Sequence, residues 1–113
     1  MHELAVTQHM LDIALEQARA VQAKRVSRIN LVIGEMSSVV NECVQFYFDF
    51  LSQDTIASGA ILAFQRISTQ LRCRNCATIF TPGDSNWACP SCQQWDVEII
   101  AGRESYIDSI EVE

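Results

Sequence analysis

The sequence predicts an α+β protein: a small sheet of about three strands packed with two helices, plus an inserted four-cysteine module. Three observations predict it. Apolar residues recur at steps of three and four over residues 4–22, alternate at a period of two from Val26, and return to helical spacing beyond Asn41. Four of the five cysteines lie between positions 73 and 92, in two Cys-x-x-Cys pairs. With 113 residues, 49% of them hydrophobic, and only four glycines and two prolines, the chain reads as one ordinary domain or a small domain carrying a smaller module.

The first helix sets Leu4, Leu11, Ala14, Leu15, Ala18 and Val21 on one stripe, with Asp12, Glu16, Gln17 and Arg19 between them. Lys24 and Arg25 suit its C-terminus, where the helix dipole favours positive charge. A strand follows from Val26, with Ile29, Leu31 and Ile33 facing one way, Arg28 and Asn30 the other, and Gly34 at its end. Ser37, Ser38 and Asn41 offer N-cap side chains for a second helix, in which Val40, Cys43, Val44, Tyr47, Phe50 and Leu51 keep helical spacing to an end near Gln53. Cys43 falls on its apolar face and is expected to be a small buried residue. Four aromatic residues within positions 46–50 exceed what one stripe holds, so part of this helix should contact something besides its own sheet. Residues 60–67 form an apolar strand after Gly59, and residues 97–100 and 106–112 read as further strands with Gly102 at the turn between them. If the last strand returns to the sheet, the chain divides into an α/β body of residues 1–70 and 103–113 and a module of residues 71–102.

Eight Lys and Arg against fourteen Asp and Glu give a net charge of −6, the wrong sign for a phosphate-binding surface. The acid gathers at the end: residues 1–70 carry −2, residues 71–95 carry +1 and residues 96–113 carry −5. No apolar run approaches the ~20 residues of a membrane span, and the opening Met1-His2-Glu3-Leu4 lacks the basic and long apolar regions of a secretory signal. A soluble cytoplasmic protein is expected.

In such a chain the pairs Cys73/Cys76 and Cys89/Cys92 point to metal before disulfides. Each pair aims two sulfurs at one point, and together they complete a tetrahedral shell whose commonest occupant is Zn²⁺. A closed shell of four thiolates leaves no open position, so the zinc is expected to be structural. It would also supply folding free energy to a segment with few large apolar side chains, over which Trp87 and Trp95 are expected to pack a minimal core. Iron in a rubredoxin-like centre uses the same four ligands. A redox dithiol needs only one pair, and a nucleic-acid-binding ribbon would want more than the thin basic face of Arg72 and Arg74.

The amino terminus is a second candidate. A bulky second residue normally leaves Met1 in place, so its α-amine, the His2 amide nitrogen and the His2 imidazole can chelate one ion. Ni(II) and Cu(II) favour such planar nitrogen sites. Glu3 can add a carboxylate or its amide nitrogen, although a terminal Met-His-Glu taken alone reads by default as a solvated chain end. His9 projects away from the apolar stripe and reads as an exposed surface histidine.

The whole pattern resembles a known family. Met1-His2-Glu3-Leu4, a first strand ending Ile33-Gly34-Glu35, then Cys73-x-x-Cys76, Cys89-Pro90-x-Cys92 and a closing Ser109-Ile110-Glu111-Val112-Glu113 are together similar to the HypA/HybF hydrogenase nickel-incorporation proteins, from the first residue to the last. The resemblance implies a nickel metallochaperone, not an enzyme, that helps mature the [NiFe]-hydrogenase large subunit. It implies Ni(II) as transported cargo on His2, with Met1 and Glu3 as co-ligands, and structural zinc on Cys73, Cys76, Cys89 and Cys92. A HypB-type GTPase is the implied partner, and some members also serve urease maturation. This chain has no Gly-rich Lys-Ser/Thr phosphate loop of its own. Where certain relatives offer the nickel an acidic side chain, this sequence reads Val39-Val40-Asn41-Glu42, leaving Asn41, Glu42 or water for that role. The competing reading is a zinc-ribbon adaptor or nucleic-acid-binding module in which His2 plays no part.

Overall fold

A computed structural model describes residues 3–83 and 86–113. The elements run α1 (Glu3–Ala20), β1 (Val26–Gly34), α2 (Asn41–Leu51), β2 (Ile61–Ile67), β3 (Gln70–Cys73), β4 (Ile79–Phe80), β5 (Val97–Ala101) and β6 (Ser105–Val112). They build two three-stranded sheets, ordered β2-β1-β6 and β4-β3-β5, which gives the α+β class expected from the sequence. No helix among the described residues is long and apolar enough to cross a membrane. The chain divides into two compact units, Met1–Val32, Ser38–Gln65 and Ser105–Glu113 forming one, Ile33–Ser37 and Arg66–Glu104 the other.

In the first unit α1 packs against α2, and β1 is the central strand. The N–H groups of Lys24 and Arg25 donate to the Glu113 carbonyl and Glu113 N–H donates back to Arg25, so the closing strand β6 enters the sheet antiparallel to β1. Val26 N–H donates to Ile56 O just ahead of β2, and the helix-containing crossover through α2 returns β2 beside β1 in the same direction. Burial along β1 follows the predicted alternation over residues 28–31, with Ile29 and Leu31 buried and Arg28 and Asn30 half-buried, but not before them, where Val26 is buried and Ser27 half-buried. From Leu31 every residue is buried, Val32 included, because a central strand covered on both faces has no polar side to keep.

Several local expectations shift. The buried stripe of α1 is Glu3, Thr7, Met10, Leu11, Ala14 and Ala18, whereas Leu4 is 51% and Val21 64% exposed. Periodicity scores Glu3 and Thr7 as outward because they are polar, yet both have internal partners: the Thr7 hydroxyl donates to the Glu3 carbonyl and the Glu3 carboxylate accepts from Val40. The helix stops at Ala20, with Gln22 turning to φ 55° and Ala23 N–H closing on Ala18 O, so Lys24 and Arg25 lie beyond it and Arg19 is the basic residue of its last turn. Val40, not Ser37, Ser38 or Asn41, holds the N-cap position of α2, with no side-chain cap bond, and Ser52 ends the helix. Cys43 is exposed rather than buried, since Val44 and Phe48 are the residues α2 turns inward.

The second unit contains strands the hydropathy pattern did not reveal. β3 pairs antiparallel with β4 through Leu71↔Phe80 and Arg72↔Ile79, and with β5 through Leu71↔Ile99, Arg72↔Glu98 and Cys73↔Val97. Leu71, Phe80, Ile99, Cys73 and Val97 therefore share one face, while Arg72, Ile79 and Glu98 share the other. Gly34 and Gly102 meet in this unit. A Cβ on Gly34 would collide with the Gly102 carbonyl oxygen, and one on Gly102, whose φ is +120°, would stand 2.9 Å from the Thr69 Cα. The approach lets Met36 N–H donate to Gly102 O at 2.7 Å and Gly34 N–H to Glu104 O at 2.6 Å.

Candidate metal centre

Each cysteine pair sits on the same backbone turn. Cys73 N–H donates to Thr78 O, and Ala77 N–H, from a residue at φ 64°, donates back to Cys73 O. Cys89 N–H likewise donates to Gln94 O, and Gln93 N–H, at φ 67°, donates to Cys89 O. Both turns fold the chain back around the first cysteine of the pair, with a residue in the left-handed region one place after the second. In the second turn Ser91 N–H also points at the Cys89 sulfur, 3.4 Å away.

The two turns bring four sulfurs together. Cys73 Sγ lies 3.5 Å from Cys92 Sγ and Cys76 Sγ 3.5 Å from Cys89 Sγ, and all four sulfurs fall within 4.8 Å of one another. A tetrahedral ion with metal–sulfur bonds of about 2.3 Å has sulfur–sulfur edges of about 3.8 Å, so the donor set fits a structural zinc. The separations far exceed a disulfide bond, and all four thiols are free. Cys73 and Cys89 are buried, Cys92 is half-buried and Cys76 exposed.

The surroundings differ from sulfur to sulfur. The Thr78 hydroxyl, its backbone N–H and the Cys89 thiol lower the Cys76 thiol to about 6. Asn75, followed by the Gln94 backbone, lowers Cys92. The Cys76 backbone pulls Cys73 down, but burial and the neighbouring Cys92 and Cys76 thiols outweigh it and push Cys73 up to about 11. A bound dication holds all four as thiolates, which removes the disparity. Thr78 and Asn75 were not anticipated as supporting residues. Asn75 lies inside the first Cys-x-x-Cys pair and Thr78 two places after it, positions whose hydrogen-bonding reach only the turn reveals.

The tryptophans do not form the expected cover: Trp95 is 66% exposed and Trp87 half-buried, because the apolar side of the module comes from Leu71, Cys73 and Cys89 instead. Nor are Arg72 and Arg74 free to meet phosphate. Arg72 pairs with Glu98 at 3.0 Å, and Arg74 with Asp96 at 2.9 Å and Glu98 at 3.6 Å.

Of the amino-terminal candidates, Met1 and His2 lie outside the described residues, and Glu3 is inside them. Glu3 is buried, 8% exposed, and its Oε2 accepts the Val40 N–H at 3.2 Å. Its carboxylate thus ties the start of α1 to the N-cap of α2, which puts Asn41 and Glu42 in the first turn of α2, half-buried and exposed respectively. His9 is exposed, as expected.

A family model described as "Hydrogenase/urease nickel incorporation, metallochaperone, hypA" matches residues 1–112. The chain belongs to the HypA family. Among HypA relatives it is 50% identical over 113 residues to a hydrogenase maturation factor HypA of Dehalococcoides mccartyi, covering 100% of this chain and 95% of that protein. It is 41% identical to the HypA of Caldanaerobacter subterraneus subsp. tengcongensis, with both chains covered completely. A solution structure of a HypA protein superposes with a TM-score of 0.78 at 26% identity, covering 100% of this chain and 97% of the other. The solution structure of the Ni metallochaperone HypA from Helicobacter pylori gives 0.70 at 26% identity, covering 99% and 97%. HypA proteins are maturation factors rather than enzymes, and the four-cysteine cluster is the metal centre of this one that its described residues contain.

Proposed function

We propose that this chain is a cytoplasmic nickel metallochaperone that carries Ni(II) on its amino terminus and helps insert it into the [NiFe]-hydrogenase large subunit. The observation that carries the reading is the family match from residue 1 to residue 112, with named hydrogenase maturation factors matched over the full length of this chain. Zinc is held by Cys73, Cys76, Cys89 and Cys92; their convergence supports a closed shell with no vacancy for cargo. Nickel binds elsewhere, at the Met1 amine and the His2 amide and imidazole nitrogens. Because the Glu3 carboxylate already accepts the Val40 N–H, Glu3 contributes through its amide nitrogen and through the position it gives the chain start. Few ligands hold the ion, so a recipient's thiolates can displace them. A HypB-type GTPase and the hydrogenase large subunit are the partners, and urease maturation proteins are a second destination that the family description supports. The pairing of Arg72 and Arg74 with Asp96 and Glu98 weighs against a nucleic-acid role.

The test is nickel titration of the zinc-loaded protein. His2→Ala and acetylation of the α-amine should each abolish stoichiometric nickel binding while zinc content stays unchanged. Nickel stoichiometry unaffected by both changes would falsify the terminal site.

A further inference from the structure

We propose that the outer face of α2 is a docking surface for a protein partner presenting an amphipathic segment, apolar along one stripe and flanked by Lys or Arg. While Val44 and Phe48 fill the interior, Phe46 and Phe50 stand 70% and 69% exposed. They are four residues apart, so they lie on one face of the helix, with exposed Cys43 one turn before. The Phe46 ring meets the Tyr47 ring edge-on, 5.5 Å between centroids, which steadies it at the surface. Two solvated phenylalanines at helical spacing are the anchors by which one helix lies along another protein's apolar stripe.

Charge selects among occupants. Glu42 and Asp49 flank Phe46 on the same side of the helix, and among the described residues neither is ion-paired to a Lys or Arg. Asp49 is held by the Gln45 side-chain amide at 2.8 Å. From residue 29 to residue 65 the sequence contains no Lys, Arg or His but four carboxylates, Glu35, Glu42, Asp49 and Asp54. An acidic edge along an aromatic stripe repels nucleic acid, anionic lipid and a second copy of itself, and attracts a basic amphipathic segment. The Glu3 carboxylate holds the Val40 N–H at the head of the same helix. The surface stands whether or not the amino terminus carries nickel.

The experiment uses the full, zinc-loaded chain and two synthetic amphipathic helical peptides with the same leucine stripe, one flanked by Lys and one by Glu. The Lys-flanked peptide should shift backbone amide resonances of residues 42–50. Phe46→Ser/Phe50→Ser should weaken it about tenfold with helicity, zinc and nickel stoichiometry retained. Glu42→Lys/Asp49→Lys should reverse the preference toward the Glu-flanked peptide, which decides the matter if the double serine variant loses helicity. Shifts confined to other residues, equal binding of the two peptides, or self-association of the chain through this face would each overturn the proposal.

Discussion

Glu3 joins two elements that the sequence presents as separate. Its buried carboxylate accepts the Val40 N–H, so a residue that looks like a solvated terminal acid is an internal partner for the head of α2. Removing it leaves a part-buried backbone donor without its acceptor. Glu3→Ala should therefore lower stability by about 1–2 kcal/mol in urea unfolding, and Glu3→Gln, which keeps an amide oxygen at the same reach, by less. The cysteines make the opposite contrast between what a residue type suggests and what its surroundings permit. Cys43 and Cys76 are both exposed, but only Cys76 lies among converging sulfurs and beside the Thr78 hydroxyl. Cys76→Ser should abolish stoichiometric zinc on metal analysis of the purified protein, whereas Cys43→Ser should leave it intact.

Among the elements, the end of β1 is constrained most tightly. Hydropathy marks Gly34 only as the place where the strand stops. Packing explains why no other residue serves, since any Cβ would meet the Gly102 carbonyl and the Arg103 nitrogen, both of them backbone atoms that cannot swing aside. Gly34→Ala should cost about 3 kcal/mol or more, seen as a lowered unfolding midpoint, and a fully stable alanine variant would contradict the packing. In α2 the periodicity identifies a helix correctly but phases its faces only in part. Six apolar or aromatic residues from 44 to 51 offer several inward stripes, and it is the α1–α2 contact that selects Val44 and Phe48 and leaves Phe46 and Phe50 outside. β3 and β4 illustrate a further limit. Runs of four and two residues are too short for a period to show, and they exist because pairing with β5 and the turns around the cysteines hold them in register.

At the scale of the whole molecule the two compact units are stabilised differently. The first buries helical and strand side chains such as Leu11, Ile29, Val44 and Phe48; the second has Leu71 and two cysteines as its most buried side chains. Its ion pairs lie on exposed side chains and contribute little. A strong zinc chelator should therefore remove amide-exchange protection from Leu71, Cys73 and their β5 partners while the amides of α1 stay protected, and equal loss in both units would show that zinc is not what holds the second together. The sequence by itself determined the class, the order of α1, β1, α2, β2 and β6, and the four zinc-ligating candidates, because periodicity and Cys-x-x-Cys spacing are local properties of the chain. Its opening and closing motifs also carried the family. Tertiary structure alone decided which face of each helix is buried, that Cys43 and Trp95 are exposed, that Glu3 is an internal strut, and that Gly34 and Gly102 must touch. Those outcomes depend on contacts between residues far apart in the chain, and a buried polar group with its partner in place has no hydropathy by which to announce itself.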